Sequence, residues 1–262
     1  MEIHIFTLFP GMFRGPFGES IVARAQAAGI LAIRTHDLRD FTTDRHHQAD
    51  DTPYGGGAGM VMKPEPFFAG VDFLRAEIAS RLGERLAADM PILLPSARGR
   101  LFNQSVAQDL TEHQCILILC GHYEGVDARV EKLATDCLSI GDYVLTGGEL
   151  PAMVMVDTVA RLLPGALHDI EAAWDDSFGL NAGGLLQHPQ YTRPAKYRGF
   201  EVPAVLLSGD HKAVIEWRRY QALKYTLATR PELLERAELT PTDRANLETL
   251  RHKREPDSYK FD

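Results

Sequence analysis

The sequence has few cysteines and no long hydrophobic run, and both absences narrow the class of protein. Its three cysteines, Cys115, Cys120 and Cys137, are odd in number and lack paired zinc-site spacing. We therefore predict no disulfide framework and interpret Cys115 and Cys120 as small apolar residues beside a buried strand. Free thiols favour a reducing, cytoplasmic location. No apolar run approaches the length of about 18 residues that spans a membrane, and no secretory signal is visible, so no membrane association is expected.

The sequence also lacks an excess of basic residues. Its net charge is −8, which argues against a general nucleic-acid coat but permits local basic patches. The histidines are scattered, and no set of histidines and carboxylates has metal-ligand spacing. The glycine-rich segment 53–60 has neither a phosphate-binding Gly-Lys-Ser/Thr nor the dinucleotide-binding spacing. It is either a flexible loop or a point of close backbone approach to a ligand or another chain.

Strand-like and helix-like stretches alternate through the first two-thirds of the chain. Predicted strands cover 2–8, 31–38, 91–95, 115–120 and 136–140, and predicted helices cover 13–28, 64–82, 103–112, 128–134 and 151–163. This alternation predicts an α/β domain over residues 1–167, with a mostly parallel sheet covered on both faces.

The pattern changes after residue 167. Residues 168–187 are acidic, contain glycines and show little periodicity, which predicts a flexible interdomain linker. Residues 188–262 begin with a basic and aromatic stretch and continue with helical spacing, which predicts a small all-helical C-terminal domain. Within it, Thr240 and Asp243 are expected to cap the last helix.

Segment 120–127 directly follows the most apolar strand. In parallel α/β sheets, ligands collect at the carboxyl ends of strands. A glycine bend that carries His122, Tyr123 and Glu124 at that place is a candidate site, and a simple strand-to-helix turn is the alternative.

Segment 140–149 also follows a strand and precedes a helix. Its glycines expose backbone groups, while Tyr143, Val144 and Leu145 offer apolar cover suited to adenine and ribose. It contains no Lys or Arg to meet a polyphosphate, which favours S-adenosylmethionine over ATP or NAD.

Two further charged positions have open interpretations. Asp176, in the linker, is either part of a solvated acidic loop, which composition favours, or a base that closes over a substrate. Arg161, near the end of the 151–163 helix, either interacts with the helix dipole or contacts an anion.

These segments together resemble the bacterial tRNA (guanine-N1)-methyltransferases, the TrmD family. The resemblance covers nearly the whole chain in order. The matching segments are 6–10, 51–57, 120–125, 140–152, 161–165, 176–178, 189–194, 202–209 and 230–234.

The resemblance implies a SPOUT methyltransferase domain whose C-terminal part forms a trefoil knot. It also implies a homodimer, with each active site shared between chains, and S-adenosylmethionine bound in the knot. The cofactor-binding residues that it implies are Leu94, Pro95, Gly121, Tyr123, Ile140, Gly141, Asp142, Tyr143, Val144, Leu145, Gly147 and Gly148.

The resemblance further implies the substrate, which is N1 of the guanosine at tRNA position 37, beside the anticodon, when guanosine precedes it. The modification maintains the reading frame. Asp176 is the implied base, Arg161 would stabilise charge on guanine O6, and Glu124 would hold the guanosine or an ion. Magnesium is an implied accessory ion, for which the sequence shows no ligand set.

The sequence departs from the family pattern at Ala58, where proline is common, and at His122, where arginine is frequent. The second change weakens any phosphate contact expected there, because neutral histidine is a weaker anion partner. Basic side chains expected to meet tRNA phosphates are those of 191–198, Arg218, Arg219, Lys224, Arg251, Lys253 and Arg254, the last three being alternatively an exposed charged tail. The alternatives are a non-catalytic RNA-binding protein and a related enzyme that acts on another RNA.

Overall fold

The computed structural model describes residues 1–168, 174–179 and 181–252, and backbone contacts divide the chain into two units, Met1–Ile170 and Glu171–Asp262. No helix within these described ranges is long and apolar enough to cross a membrane. Lys253 and Arg254, expected to meet tRNA, lie outside the described residues.

A parallel sheet forms the centre of the first unit. The strands of this unit are β1 (Glu2–Thr7), β2 (Ala32–Asp37), β3 (Asp50–Asp51), β4 (Val61–Met62), β5 (Ile92–Leu101), β6 (Cys115–Leu119) and β7 (Asp136–Ser139). Five of them form the sheet in the order β2-β1-β6-β5-β7, with every pairing parallel. The short β3 and β4 form an antiparallel pair outside it. The predicted α/β class with a mostly parallel sheet is confirmed.

The helices of the first unit begin and end at sequence signals. They are α1 (Arg14–Phe17), α2 (Ser20–Ala27), α3 (Pro64–Leu82), α4 (Glu84–Asp89), α5 (Gln104–Thr111) and α6 (Glu149–Ala160). Helix α3 has the predicted bounds, because Pro64 suits a first turn and Gly83 ends the helix with φ 102°. Helix α5 is capped by Asn103, whose side chain accepts from the backbone of Val106 at 3.0 Å.

Three predicted elements differ from the structure. The predicted helix 13–28 is interrupted, because the Glu19 backbone is extended and Ser20 adopts a left-handed φ of 53°. The predicted helix 128–134 is a 3-10 helix, Ala128–Lys132. Strand β5 continues beyond the predicted 91–95 through a register shift between Pro95 and Arg100. Gly99 permits this detour, since a Cβ there would lie 2.5 Å from the backbone of Cys137.

The core of the first unit surrounds β1 and β6. Ile3 pairs with Ile116 and Ile5 with Ile118, and all four are buried. Strands buried on both faces need such continuous apolar runs, as the sequence predicted for 115–120. His4 is a buried exception on β1, where its Nδ1 lies 2.9 Å from Nε2 of His36.

The second unit contains strands as well as helices, so the prediction of an all-helical C-terminal domain was wrong. Its elements are β8 (Lys196–Tyr197), β9 (Phe200–Glu201), α7 (Ala204–Leu207), α8 (His211–Thr229), a 3-10 helix at Pro231–Glu235, and α9 (Pro241–His252). Strands β8 and β9 form an antiparallel hairpin. Its turn residues, Arg198 and Gly199, both have positive φ, as a tight two-residue hairpin turn requires.

A small core and one ion pair hold the helices of the second unit together. Leu223, from α8, and Leu247, from α9, are buried in one cluster. Arg219 donates to the buried Asp243 at 2.9 Å and also to the carbonyl oxygens of Ala182 and Glu238. The predicted cap is confirmed, because the side chains of Thr240 and Asp243 accept from each other's backbone N–H. Arg219 therefore stabilises this unit and is not available to meet phosphate.

Candidate active site

A cavity of about 280 Å³ lies at the carboxyl ends of β6 and β7 and beside the irregular middle of β5, the strand between them in the sheet. Three chain segments line it: residues 94–98 of β5, the loop that follows β6, and the segment that joins β7 to α6. Its volume is near the lower end of the roughly 300–1,000 Å³ range of small-molecule sites. We call it the glycine-loop cavity.

The loop after β6 has a constrained backbone. Tyr123 has a left-handed φ of 58°, which is uncommon for a residue with a side chain, and Gly125 has a φ of 111°. Hydrogen bonds hold this shape: Gly125 donates to the carbonyl oxygen of His122 at 3.0 Å, and Glu124 donates to that of Met60 at 3.0 Å. The loop is thus a β-turn over residues 122–125 that its neighbours hold in one shape, and both interpretations of the segment stay open.

The segment between β7 and α6 presents apolar side chains on an irregular backbone. Gly141 has a φ of 147°, and a Cβ on it would lie 2.5 Å from the Tyr143 ring. The Tyr143 hydroxyl donates to the carbonyl oxygen of Ile140 at 3.2 Å. Val144 is 86% exposed, so this wall offers apolar surface to a ligand.

A buried carboxylate lies where the two glycine loops meet. Glu149 is 1% exposed, and its Oε1 accepts from the Thr7 hydroxyl of β1 at 2.8 Å. Its Oε2 lies 3.5 Å from His122 Nδ1. A Cβ on Gly147 would lie 2.2 Å from that Oε2 and 2.4 Å from that Nδ1, so a larger residue there would displace the buried Glu149 or His122 side chain. Glu149 therefore ties the sheet, the loop after β6 and the start of α6 together.

The structure brings most of the sequence-predicted site residues to this cavity. Those that line it are Leu94, Pro95, Gly121, Tyr123, Glu124, Ile140, Gly141, Tyr143, Val144, Leu145, Gly147 and Gly148. Asp142 is exposed and is not among the lining residues.

Sequence reasoning missed an ion pair on the cavity wall. Arg98 and Glu131 both line the cavity and are hydrogen-bonded to each other. Segment 140–149 contains no Lys or Arg, but the cavity as a whole is lined by one cation, Arg98, among the described residues. The charge of Arg98 is paired with the Glu131 carboxylate. Only the position of Arg98 three residues after the predicted apolar strand 91–95 could have indicated it, because Glu131 belongs to a separate element.

The first glycine-rich segment approaches this site at one end. A Cβ on Gly59 would lie 2.5 Å from Cγ of Glu124 and 2.6 Å from its Oε1. Gly59 therefore allows the Glu124 side chain to pack against the backbone. This contact lies within one chain, so a close approach of segment 53–60 to a ligand or another chain stays a prediction.

Arg161 lies away from the cavity in the same chain. It follows the last residue of α6, a helix of 12 residues whose first turn adjoins the cavity at Gly148 and Pro151. At about 1.5 Å per residue, the helix separates the two ends by roughly 18 Å.

Asp176 belongs to the second unit, in a hydrogen-bonded loop formed by the described part of the predicted linker. Its Oδ1 accepts from Nε2 of Gln187 at 3.4 Å, and the neighbouring Ser177 hydroxyl accepts from the Gln187 backbone at 2.9 Å.

The glycine-loop cavity fits a nucleoside ligand without a polyphosphate. Its apolar walls suit an adenine ring, and its exposed backbone groups suit ribose and amino-acid polar groups. Glu131 is paired with Arg98, so the Glu124 carboxylate is the lining charge that favours a ligand carrying positive charge. Fold and cavity together define an α/β protein with a cavity suited to a nucleoside-like ligand at the carboxyl edge of a parallel sheet.

Comparison with known proteins agrees with this class and narrows it. Residues 1–236 match the family model described as tRNA (Guanine-1)-methyltransferase TrmD. A tRNA (guanine-N(1)-)-methyltransferase of Dehalococcoides mccartyi is 48% identical over 98% of this chain and 99% of its own length. The proteins of that name from Desulforamulus reducens and Geobacter metallireducens are each 51% identical, over 96% and 94% of this chain and 96% of their own lengths. The chain belongs to the TrmD family of tRNA (guanine-1)-methyltransferases.

Proposed function

We propose that this protein transfers the methyl group of S-adenosylmethionine to N1 of the guanosine at tRNA position 37, beside the anticodon, when guanosine precedes it. The observation that carries the proposal is the glycine-loop cavity in a chain that matches the TrmD family over residues 1–236. The modification would maintain the reading frame. Because its substrate is tRNA, we expect the enzyme to act in the cytoplasm.

S-adenosylmethionine supplies an electrophilic methyl group whose departure leaves a neutral thioether. The protein residues proposed to bind it are the lining residues of the two glycine loops, together with Leu94 and Pro95. The apolar Val144 wall would cover adenine, and the paired Arg98 and Glu131 would flank the polar part of the ligand. Asp142 is the weakest member of the predicted set, since its side chain is exposed outside the cavity lining.

Guanine N1 carries a proton at neutral pH, so a base must remove it as the new N–C bond forms. We assign that role to the Asp176 carboxylate, which its own loop holds through Gln187. Loss of the proton moves negative charge to guanine O6, where the Arg161 guanidinium would stabilise it. Glu124, on the cavity wall, would hold the target guanosine. Positioning supplies much of the remaining rate enhancement.

We further propose a homodimer with each active site shared between chains. Two observations support it. Arg161 lies roughly 18 Å along α6 from the cavity of its own chain, and a second chain would bring an Arg161 to it. Helix α6 also exposes Leu150 (46%) and Val154 (45%), which are four residues apart and therefore lie on one helix face.

A trefoil knot, formed where the segment before α6 crosses the loop after β6, belongs to the same proposal. The bridge between His122 and Gly147 supports a close crossing of those two segments. The second unit would bind tRNA through its basic and aromatic surface. Magnesium has no supporting observation, because no three metal-binding side chains cluster among the described residues, and no step is derived through it.

Methyl transfer from labelled S-adenosylmethionine to tRNA transcripts tests the activity. We expect labelling of a transcript with guanosine at positions 36 and 37, and a large loss when adenosine replaces guanosine 37. Equal labelling of both transcripts would contradict the assigned position. A transcript with adenosine at position 36 tests the requirement for the preceding guanosine.

A mixing experiment tests the shared site. Gly147→Ala should inactivate the cavity, and Asp176→Asn should remove the base. When differently tagged chains are co-expressed and the mixed dimer is purified, one intact site should form if each site takes these residues from different chains. A mixed dimer as inactive as both parents would contradict the shared site.

A further inference from the structure

We propose that the second unit holds a separate pocket for one unstacked base of the tRNA, remote in sequence from the glycine-loop cavity. This inference rests on the proposed function. The pocket has a volume of about 380 Å³, and all of its lining residues belong to the second unit. It lies between segment 188–195 and helix α8, with Leu206 and Val214 among its apolar lining. We call it the aromatic pocket.

Three aromatic rings line this pocket without stacking on one another. The ring centroids of His188 and Tyr191 each lie 6.3 Å from that of Trp217. Their planes are inclined to the Trp217 ring by 58° and 55°. Because the rings are tilted and Tyr191 is exposed, ring surface remains that another planar group can cover. A nucleobase is such a group, and every base has a face that stacks on aromatic side chains.

Two guanidinium groups at the pocket favour a ligand with phosphate. Arg193 and Arg218 both line it, and neither forms an ion pair or side-chain hydrogen bond with the residues described. The neighbouring Arg219 differs, because Asp243 and two carbonyl oxygens occupy its guanidinium. Among the residues that the structure describes, no carboxylate lines the pocket, although the whole chain has a net charge of −8. The basic character is therefore local, as expected of a nucleic-acid contact.

The β8–β9 hairpin adds an exposed surface of the same kind in this unit. Tyr197 and Phe200 are exposed, and the Arg198 guanidinium lies 5.3 Å from the Tyr197 ring centroid. Aromatic and arginine side chains in combination are how proteins hold bases of single-stranded RNA loops, which present unstacked bases. An unpaired loop nucleotide of the tRNA therefore fits the aromatic pocket in shape and charge, and the paired stem does not.

The test compares tRNA affinity of pocket variants over a range of salt concentrations. Trp217→Ala should weaken binding of the transcript with guanosine at positions 36 and 37 by about tenfold, as removal of one stacking platform does. Trp217→Ala should leave the slope of log affinity against log salt unchanged, because it removes no charge. Arg218→Gln should reduce the steepness of that slope by about 1. Trp217→Phe should retain most of the affinity. Ile215→Ala and Lys212→Gln are matched controls, because both residues are exposed on α8 and do not line the pocket.

A photo-crosslinking measurement on the wild-type protein is independent of the folding of any variant. We expect transcripts substituted with 4-thiouridine at unpaired positions to crosslink to a peptide that contains Tyr191 or Trp217. The inference would be overturned if Trp217→Ala bound tRNA with wild-type affinity or lost no more affinity than Ile215→Ala. Crosslinks found only outside the pocket would also overturn it. Neither result would contradict the proposed methyl transfer. Conversely, crosslinks in the pocket without methyl transfer to any guanosine-37 transcript would support the pocket and contradict the proposed function.

Discussion

The backbone N–H of Gly148 donates to the carbonyl oxygen of Gly121 at 2.7 Å. This bond joins the loop that follows β6 to the first turn of α6. A Cβ on Gly148 would lie 3.0 Å from the Cα of Cys120, so the close approach depends on glycine. The glycine-loop cavity therefore owes its shape to two backbone segments packed against each other, and side chains around this contact can be tested separately.

Asp176→Asn should abolish nearly all methyl transfer while leaving S-adenosylmethionine affinity unchanged. The amide keeps the shape of the side chain but cannot accept the proton of guanine N1. Single-turnover kinetics and calorimetric titration of the methyl donor measure the two effects. Asp175→Asn is the matched control, since its carboxylate is adjacent in sequence and accepts instead from Asn181. Turnover that survives in the Asp176 variant would place the base elsewhere.

Gly147→Ala should weaken S-adenosylmethionine binding at least tenfold. The new methyl group would fall 2.2 Å from Glu149 Oε2 and force the two glycine loops apart. Calorimetric titration measures the loss. Gly11→Ala serves as the control, because a Cβ at Gly11 has no atom within 4 Å. Equal affinity in the two variants would show that the loop junction does not shape the binding site.

Thr7→Val should lower the free energy of unfolding by about 1–3 kcal/mol, since it leaves the buried Glu149 carboxylate without its hydroxyl donor and the Phe9 backbone N–H without its acceptor. Urea unfolding measures this effect. In the control Thr249→Val, the lost hydroxyl is exposed on α9 and donates to the carbonyl oxygen of Ala245. Its effect should stay within about 0.5 kcal/mol, as for most surface changes. If Thr7→Val lowers the free energy of unfolding no more than the control does, the Glu149 carboxylate is stabilised by other groups.

His4 should make stability depend on pH. Burial, and then the charge of His36, lower the pKa of His4 from 6.5 to about 4, against the opposing effect of Glu2. The unfolded chain therefore binds the proton more readily. The contribution of neutral, buried His4 to the stability of the folded state is complete above pH 6.5. It is lost as the pH falls from 6.5 towards 4, because the unfolded chain takes up the proton first. Burial also lowers the pKa of His36, which acts in the same direction.

Urea unfolding across this pH window measures the effect. His4→Gln should flatten the profile, while the exposed His113→Gln should leave it unchanged. A profile that stays equally steep in His4→Gln would assign the proton uptake to other groups.

Arg219→Gln should destabilise the second unit by about 3 kcal/mol, because it leaves the buried Asp243 carboxylate without its charged partner. Burial acts to raise the pKa of Asp243, but hydrogen bonds from Arg219 and Thr240 lower it overall. Thermal unfolding measures the loss, and the exposed Arg218→Gln should leave stability unchanged. Similar unfolding of both variants would show that the ion pair contributes nothing net.

Much of the fold could be read from local patterns. The apolar run 115–120 predicted β6, and Pro64 and Gly83 marked the ends of α3. The predictions were wrong where single backbone angles decide the outcome. The break in the predicted helix at Ser20 and the hairpin turn at Arg198 and Gly199 both involve residues with positive φ. Two of these three residues are not glycine, so the sequence did not mark them. Sequence periodicity carries little information about such positions.

The sequence by itself determined the order of the glycine segments, their places after strands and the resemblance to one enzyme family, because each depends on residues close together in the chain. Only the tertiary structure showed that Glu149 meets Thr7, that Arg98 meets Glu131 and that Gly59 packs on Glu124. These partners come from separate elements that the sheet brings together. Their pairing depends on strand order and loop shape, which no local spacing of residues encodes.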